Sequence, residues 1–331
     1  MSSPRFSIVT PVYNASAYLP EMIRSVKAQT FTDWELRIVD DGSCDGSGAI
    51  IEEASRNDPR IHAFFIPANT GSDFVPRRLA IEKSLGEFVV NVDADDIIEK
   101  DYLLKLHKCL SLTGASLAYA DMWLFQAEEE PKKVLPEDSS LYYDVFNGRD
   151  IFHLSLGHWK ISGVGATRRS LALRSLELYD RQMVSERIWN SFDNENLSRL
   201  DLFLADKTAF CNAEYFYRQL PDSVSHQNSE RKLGLLSADI NLCRFAASEF
   251  GRESKEHILA QTQLFHHVVE SLRLWGRNFQ VLSPQGREIL KRAFLEVDKT
   301  VLSGNVSPRY LGVARLGFGF SKIIFSRYGG S

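Results

Sequence analysis

Short apolar runs alternate with segments of helical periodicity over the first hundred residues of the chain. The segments between the runs carry apolar residues every three or four positions, which is the spacing of an amphipathic helix. Strands that alternate with helices in this way form a parallel sheet with helices on its faces. The predicted strands are Phe6–Val12, Trp34–Val39, Ile61–Ile66 and Phe88–Val92, and the predicted helices are Leu19–Gln29, Asp45–Ala54 and Arg77–Leu85.

The alternation becomes less regular after residue 100, and from Ser229 onward only helical periodicity remains. Helices without intervening strands do not extend a sheet, so we place a boundary near residue 226. The sequence thus predicts an α/β domain at 1–226 and a helical C-terminal extension at 227–331. The predicted elements after residue 100 are helix Asp101–Leu112, strand Ser116–Tyr119, a polar loop at 126–140, strand Thr208–Tyr217, and helices Leu235–Phe250, Lys255–Trp275 and Pro284–Leu302.

Polar residues follow each of the first four predicted strands. Tyr13, Asp41 and Asn69 stand at or just after the ends of the first three, and Asp93–Asp96 follow the fourth. Right-handed crossovers between parallel strands bring their carboxyl ends to one edge of the sheet. Ligands of such sheets bind just beyond that edge. We therefore expect these side chains to converge on one binding site.

The fourth strand stops abruptly on three carboxylates, Asp93, Asp95 and Asp96. Carboxylates this close repel one another and resist desolvation. A divalent cation among them removes that cost, because hard cations take oxygen ligands. We interpret Asp93-Ala-Asp95 as a metal site for a phosphorylated substrate. The alternative is a solvated acidic turn, since an isolated Asp-x-Asp tripeptide is common by chance.

Composition excludes several classes of protein. The 331 residues are 44% hydrophobic and 25% charged, which is typical of a globular chain, and a net charge of −4 gives no bulk attraction to nucleic acid. Four widely spaced cysteines indicate neither a zinc site nor a disulfide framework. Reduced thiols, together with the lack of an apolar stretch long enough to span a bilayer, predict a cytoplasmic protein.

Six short motifs occur in a fixed order over about ninety residues, and their combination is far more specific than any one of them. The motifs are Ser7-Ile-Val-Thr-Pro11-Val-Tyr13-Asn14, Ser25-Val-x-x-Gln29-Thr-Phe31, Trp34–Ser43 with Asp45-Gly-Ser47, Asn69-x-Gly71 with Arg77, Gly86-Glu87-Phe88, and Asp93-Ala-Asp95-Asp96. On these motifs the chain resembles the family 2 glycosyltransferases, inverting enzymes with the GT-A nucleotide-binding fold. A weaker match at Tyr215–Gln219 and Ser223–Ser225 extends the resemblance to about residues 5–226.

The resemblance implies a nucleotide-binding half at about 1–100 and an acceptor-side half at about 101–226. Pro11 and Tyr13 would cradle the nucleotide base, and Asp41 would accept a hydrogen bond from the base N–H. Arg77 corresponds to an arginine that the family keeps close to the nucleotide. The chain reads Pro76-Arg77-Arg78 there, one residue further from Gly71 than the commonest spacing. The resemblance therefore leaves open which of the two arginines points inward.

The resemblance also assigns roles to the acidic motif. Asp93 would contact the ribose or the donor sugar. Asp95 would ligate a divalent metal, Mn²⁺ or Mg²⁺, that bridges the two phosphates of a nucleotide sugar. Asp96 would support the site from outside the ligand shell or cap a helix.

The family's general base lies in a Glu-Asp or Asp-Glu pair upstream of the Tyr215–Gln219 stretch. Here the corresponding residues are Asp193-Asn194-Glu195, and Asn194 stands where the aspartate is expected. An asparagine cannot accept the proton, so either Asp193 or Glu195 serves, or the base has been lost. The alternative for each carboxylate taken alone is a helix N-cap.

The resemblance implies metal-assisted, inverting transfer from a nucleotide sugar, most simply a UDP-sugar, to a glycan or lipid-linked acceptor in surface polysaccharide biosynthesis. The loss of the aspartate keeps open a catalytically silent nucleotide-sugar-binding or scaffold protein. A nucleotidyltransferase is disfavoured because Pro11–Asn14 replace the Gly-rich loop typical of that class. Trp159 and His226 are further candidates for the sugar and diphosphate. Segment 309–327 mixes apolar and basic residues, which fits peripheral contact with the inner face of the membrane. The alternative is that it packs on the catalytic domain or mediates dimerisation.

Overall fold

The computed structural model describes residues 3–126, 130–135, 141–156, 163–182, 192–220 and 230–298. The chain forms two compact units, and each is described by itself. The first comprises Met1–Ser155, Lys160–Tyr179 and Leu197–His226, and the second comprises Leu156–Trp159, Asp180–Asn196 and Gln227–Ser331. The predicted division into domains at 1–226 and 227–331 stays a prediction, because segments on both sides of residue 226 contribute to the second unit.

The first unit begins with four parallel strands in the order β3-β2-β1-β4. Every residue of the first two strands is buried, as expected for strands covered on both faces. The alternation of strands and helices predicted from the sequence is confirmed, with ends that differ by a few residues. The elements are β1 (Phe6–Val12), α1 (Leu19–Lys27), β2 (Trp34–Asp41), α2 (Ser47–Asn57), β3 (Ile61–Ile66), α3 (Phe74–Lys83) and β4 (Phe88–Asn91).

The later strands make the sheet mixed. Beyond β4 the order continues β9-β6-β10-β5, with β7 beside β6 and β8 beside β10. Strand β9 is antiparallel to both of its neighbours, whereas β10 is parallel to β6. These elements are β5 (Ile97–Ile98), α4 (Tyr102–Thr113), β6 (Leu117–Phe125), β7 (Lys132–Leu135), β8 (Val145–Phe146), α5 (Gly148–Ser155), β9 (Gly165–Arg168), α6 (Arg169–Gln182), α7 (Asp193–Leu204) and β10 (Thr208–Arg218).

One sequence prediction in this half is wrong. The polar stretch 126–140, predicted as a loop, contains β7, which pairs antiparallel with the end of β6. Edge strands need only one buried face, and backbone pairing can hold a run as polar as Lys132-Lys133 in a strand. A polar composition therefore did not exclude a strand at the edge of the sheet.

The core of the first unit lies between the sheet and its helices. Helix α1 buries Leu19, Met22, Ile23 and Val26, four positions of its predicted apolar stripe. These side chains join one hydrophobic cluster with the strands, including the fully buried Phe6. Truncating such a residue to alanine typically lowers the free energy of unfolding by about 2–5 kcal/mol. Packing of this strength holds the strands and helices in place, and with them the starting points of the loops at the strand ends.

The second unit is helical in its described part after residue 229. Its long helices are α8 (Gly234–Phe250), α9 (Lys255–Trp275) and α10 (Pro284–Glu296). Ser283 caps α10 by accepting a hydrogen bond from the Gly286 N–H, and Pro284 occupies the first turn, where its missing N–H costs nothing. Among the described residues there is no helix of sufficient length and apolarity for a membrane crossing.

Candidate functional site

The loop after β1 is tied to the loop after β2. The Asn14 N–H donates to Ser43 Oγ at 2.9 Å, and the Cys44 N–H donates to Asn14 Oδ1 at 2.9 Å. Asn14 adopts a left-handed φ of 49°, which asparagine tolerates better than most residues. Pro11 is buried within β1, while the Tyr13 ring is held at the surface with 49% exposure. The structure thus presents a flat aromatic face at the carboxyl edge of the sheet.

Asp41 organises the loop after β3. Its buried carboxylate accepts hydrogen bonds from Asn69 Nδ2 at 3.1 Å, from the Thr70 N–H at 3.0 Å and from Thr70 Oγ1 at 2.9 Å. Gly42 lets the two loops touch, because a Cβ there would lie 2.7 Å from the Asn69 nitrogen. These donors converge mainly on Oδ2, so Oδ1 keeps capacity to accept from a ligand.

Of the two adjacent arginines, Arg77 is the one that faces the site. It is 7% exposed, and its guanidinium lies 2.6 Å from Asp93 Oδ1 and 3.1 Å from Asp73 Oδ2. Burial alone would lower the pKa of Arg77, but the two carboxylates outweigh it and raise the pKa above its ordinary value. Arg78 pairs instead with Glu82 on the same helix at 2.8 Å. This packing shows that Arg77, and not Arg78, is the arginine that points inward.

The Asp95 carboxylate lies in an electrostatically unfavourable place. Burial, and then the neighbouring Asp93, raise the pKa of Asp95 to about 6. The Asp93 carboxylate also forms a salt bridge with Arg77 at 2.6 Å, which partly offsets its charge. Among the described residues, no side chain donates a hydrogen bond to the Asp95 carboxylate. A cation bound at this position would stabilise the charged form of Asp95 and offset its repulsion by Asp93.

Asp96 points the other way, into the protein. It is 1% exposed, and its carboxylate accepts from Tyr215 Oη at 2.6 Å and from the Arg218 N–H at 2.8 Å. Helix α4 begins after Asp101, so Asp96 does not cap it, contrary to one of the sequence interpretations. The motif Tyr215–Gln219 was recognised in the sequence, but its contact with the acidic turn was not. No local signal connects residues that are 119 positions apart.

The acidic turn fits a metal that shares its ligands with a substrate. Within the described ranges, no group of three or more His, Cys, Asp and Glu side chains is placed to hold an ion by itself. Mg²⁺ bound to nucleotides is held by only one or two carboxylates, and phosphate oxygens and water complete its shell. Asp95, with Asp93 beside it, matches that donor set in kind and in number.

Asp193 and Glu195 both lie in the first turn of α7, where negative charge is favoured by the helix dipole. Asp193 is buried and Glu195 is partly exposed. The start of α7 belongs to the second unit, in which the Glu195 charge also reaches His267 on α9. His267 Nδ1 lies 2.6 Å from the buried Asp239 carboxylate, whose hydrogen bond and charge raise the pKa of His267 against the effect of burial.

Three further sequence candidates cannot be placed. Trp159, His226 and segment 309–327 lie outside the described residues. The roles of Pro11, Tyr13, Asp41, Arg77, Asp93 and Asp95 toward a ligand, and those of Asp193 and Glu195 toward an acceptor, stay predictions. What the structure adds is that the first six lie on elements of one unit, around one edge of its sheet.

Comparison with known proteins agrees with this geometry. Residues 7–169 match the sequence model of Glycosyl transferase family 2. That segment, just under half of the chain, is a domain of that family. It is 33% identical over 142 residues to TuaG of Bacillus subtilis (strain 168), a glycosyltransferase whose assignment to teichuronic acid biosynthesis is itself provisional. It is 25% identical over 223 residues to the glycosyltransferase GlyG of Streptococcus pneumoniae, covering 67% of this chain and 73% of GlyG.

The match to TuaG covers only part of the length of each chain. It covers 43% of this chain and 56% of TuaG, so the chain spans about half the length of that relative. Among solved structures, residues 1–349 of Staphylococcus aureus TarS in complex with UDP-GlcNAc superimpose with a TM-score of 0.54, 19% identity and 88% of each chain covered. This likeness confirms the GT-A fold predicted from the sequence and, at that identity, shows the fold alone.

Proposed function

We propose that this chain is an inverting glycosyltransferase that moves a sugar from a UDP-sugar to a glycan or lipid-linked acceptor with the help of a divalent metal. The observation that carries the proposal is the acidic turn after β4. There Asp95 is partly buried, its pKa is raised, and no described side chain donates a hydrogen bond to it. A structural carboxylate would be expected to have such a donor, whereas a cation ligand would not.

The nucleotide would bind against the loops after β1 and β2. The exposed Tyr13 ring offers a flat face to a base, and Pro11 precedes it at the end of the buried strand. Asp41 Oδ1 keeps the capacity to accept from the N–H of a uracil ring. Arg77 holds Asp93 at 2.6 Å, which fixes the Asp93 carboxylate where the ribose or donor sugar would pass.

Asp95 would hold the metal, Mn²⁺ or Mg²⁺, together with the diphosphate. When bound, such a cation acts as a Lewis acid that neutralises the charge of a departing nucleoside diphosphate. Asp93 contributes negative charge beside it, and the ion pair with Arg77 holds the Asp93 carboxylate in place. The chain's part in this step is therefore to orient two carboxylates at the edge of the sheet.

Asp193 or Glu195 would remove the proton from the attacking acceptor hydroxyl. A single in-line displacement with one carboxylate base inverts the anomeric centre. Asn194 cannot take this role. Substituting Asp193 and Glu195 separately by Asn and Gln should leave donor affinity unchanged, and only one substitution should abolish transfer.

The class of acceptor is proposed from the relatives. TarS, 37% identical over 101 residues, is named a poly(ribitol-phosphate) β-N-acetylglucosaminyltransferase. TuaG is associated with teichuronic acid. Both names concern polymers of the bacterial cell surface. We therefore propose surface polysaccharide biosynthesis in the cytoplasm, with segment 309–327 as a candidate contact to the inner face of the membrane.

Binding of the donor is tested by thermal shift with a panel of nucleotide sugars, each with and without Mn²⁺. Ligands that bind only the native state raise the midpoint of unfolding. UDP-sugars should raise it in a Mn²⁺-dependent manner, and Asp95→Asn should remove that dependence with little change in the ligand-free midpoint. Glu82→Gln, on the outer side of α3, is the matched control. An unchanged Mn²⁺ dependence in Asp95→Asn would exclude the metal role.

A catalytically silent nucleotide-sugar-binding protein is the second candidate, and Asn194 in the expected position of the base favours it. The two candidates differ when a UDP-sugar is incubated with Mn²⁺ and no acceptor. Slow release of UDP, lost in Asp95→Asn, supports the enzyme. Saturable binding with no release of UDP over a day supports the silent protein.

A further inference from the structure

The acidic turn is held from a distant strand. The hydroxyl of Tyr215, on β10, accepts a hydrogen bond from the Asp93 N–H at 3.0 Å and donates one to Asp96 Oδ2 at 2.6 Å. Tyr215 is buried, so this hydroxyl has little access to water. It bridges the first and last residues of the turn from across the sheet edge.

Arg218, three residues further along β10, holds the rest of the turn. Its backbone N–H donates to Asp96 Oδ1 at 2.8 Å, and its Nε donates to the Asp95 carbonyl oxygen at 2.7 Å. Another guanidinium nitrogen lies 2.7 Å from Glu21 on α1. The guanidinium also lies over the rings of Tyr18 and Phe125, which restricts its rotation.

These contacts divide the turn into an inward and an outward part. Both oxygens of Asp96 are used inside the protein, so Asp96 serves as an anchor and not as a ligand. Asp93 is fixed through its N–H and Asp95 through its carbonyl. Neither Tyr215 nor Arg218 donates a hydrogen bond to the Asp95 carboxylate, which the Arg218 guanidinium affects only through its charge. Without the network, two like charges at the strand end would separate and turn toward water.

We propose that Tyr215 and Arg218 are positioning residues that keep the Asp95 carboxylate directed at the metal. This inference rests on the proposed function, since it concerns the same site. It explains how one carboxylate can serve as a ligand although the described residues form no larger cluster of ligands around it: the orientation is fixed in advance by hydrogen bonds to neighbouring groups. Groups that orient a metal ligand in this way typically contribute about 10–100-fold to metal affinity.

Tyr215→Phe tests the role of the bridging hydroxyl, because it removes that group and keeps the ring. Tyr102→Phe is the matched control: its ring centroid lies 6.3 Å from that of Tyr215, and its buried hydroxyl has no hydrogen-bond partner among the described residues. We expect Tyr215→Phe to raise the Mn²⁺ concentration that half-saturates UDP binding by about tenfold or more. UDP affinity without metal should stay unchanged, and Tyr102→Phe should match the native protein in both.

The readouts separate positioning from simple loss of stability. A merely structural role would lower the ligand-free unfolding midpoint and weaken UDP binding with and without metal alike. In Tyr215→Phe, amide exchange of the Asp93 N–H should also become faster, since its acceptor is gone. Arg218→Lys gives a second test that leaves Tyr215 intact, because lysine keeps the charge but not the planar geometry that reaches the Asp95 carbonyl.

The outcomes distinguish the two proposals. If the native protein binds UDP with no Mn²⁺ dependence, the proposed metal function fails. If the native protein shows that dependence, but Tyr215→Phe and Arg218→Lys both keep the native half-saturation concentration, the positioning role fails while the function stands.

Discussion

At the scale of single residues, the carboxylates of this chain divide by what surrounds them. Asp41 and Asp96 each accept several hydrogen bonds, and Asp95 accepts none from a described side chain. Sequence reasoning found these residues because acidic side chains at the ends of buried strands are conspicuous. The residue pattern by itself did not tell an anchor from a ligand, since Asp95 and Asp96 are adjacent and differ only in their distant partners. Only the family resemblance assigned Asp95 to the metal and Asp96 to a place outside the ligand shell or to a helix cap.

Asp201 offers a prediction at the same scale. Its carboxylate accepts from Ser175 Oγ at 2.5 Å and from Thr167 Oγ1 at 3.2 Å, and burial raises the pKa of Asp201 to about 6. A carboxyl whose pKa is higher in the folded state favours folding when protonated. The contribution of protonated Asp201 to the free energy of unfolding is therefore lost as pH rises from about 4, the pKa in the unfolded state, to about 6. Above that pH the loss of stability stays constant.

Asp201→Asn should remove this dependence. Relative to the native protein, the variant should gain stability between pH 4 and pH 7, on the order of 1 kcal/mol because the residue keeps some contact with solvent. Urea unfolding at a series of pH values measures the difference. Asp206→Asn, at an exposed position, is the control and should show no such trend. A stability difference for Asp201→Asn that is the same at every pH would contradict the prediction.

At the scale of elements, the sequence predicted the parallel half of the sheet well, because apolar residues predominate in β1, β3 and β4 and alternate with charged residues at the start of β2. Strand β9 was missed. It has only four residues, begins with glycine and pairs antiparallel with β4 and β6, so neither length nor periodicity marks it. Its place between the two halves of the sheet is set by long-range pairing, which a local pattern does not contain.

Gly165, the glycine of that element, should be sensitive to substitution. It has a φ of +141°, and a Cβ there would lie 2.0 Å from the Ala118 carbonyl oxygen on β6. Since backbone atoms on both sides are held in the sheet, Gly165→Ala should cost about 3 kcal/mol or more in the free energy of unfolding. Gly114→Ala, at the left-handed C-cap of α4 with no atom within 4 Å of its Cβ, should cost only about 1 kcal/mol. Chemical denaturation compares the two, and equal costs would mean that β9 can shift away from β6.

At the scale of the whole molecule, the residues proposed to bind the donor all belong to the first unit. They come from the ends of β1, β2 and β4 and from α3, whereas the positioning residues Tyr215 and Arg218 come from β10, more than a hundred residues further along the chain. The turn at 93–96 reaches β10 because β5, which follows the turn, pairs antiparallel with β10, although β4 and β10 are not adjacent strands. The base candidates Asp193 and Glu195 belong to the second unit.

Hydrogen–deuterium exchange with UDP and Mn²⁺ tests whether these segments act together. A ligand present at 100 times its dissociation constant stabilises the native state by about 2.7 kcal/mol, and local openings that break its contacts become correspondingly rarer. Amide exchange at 12–16, 41–45, 69–75, 77, 93–96 and 215–218 should therefore slow together. Peptides from α9, which carries none of these residues, serve as the internal reference. If 93–96 become protected while 215–218 do not, β10 does not share in holding the turn. If both segments become protected and this requires Mn²⁺, the metal, the acidic turn and β10 take part in one binding event.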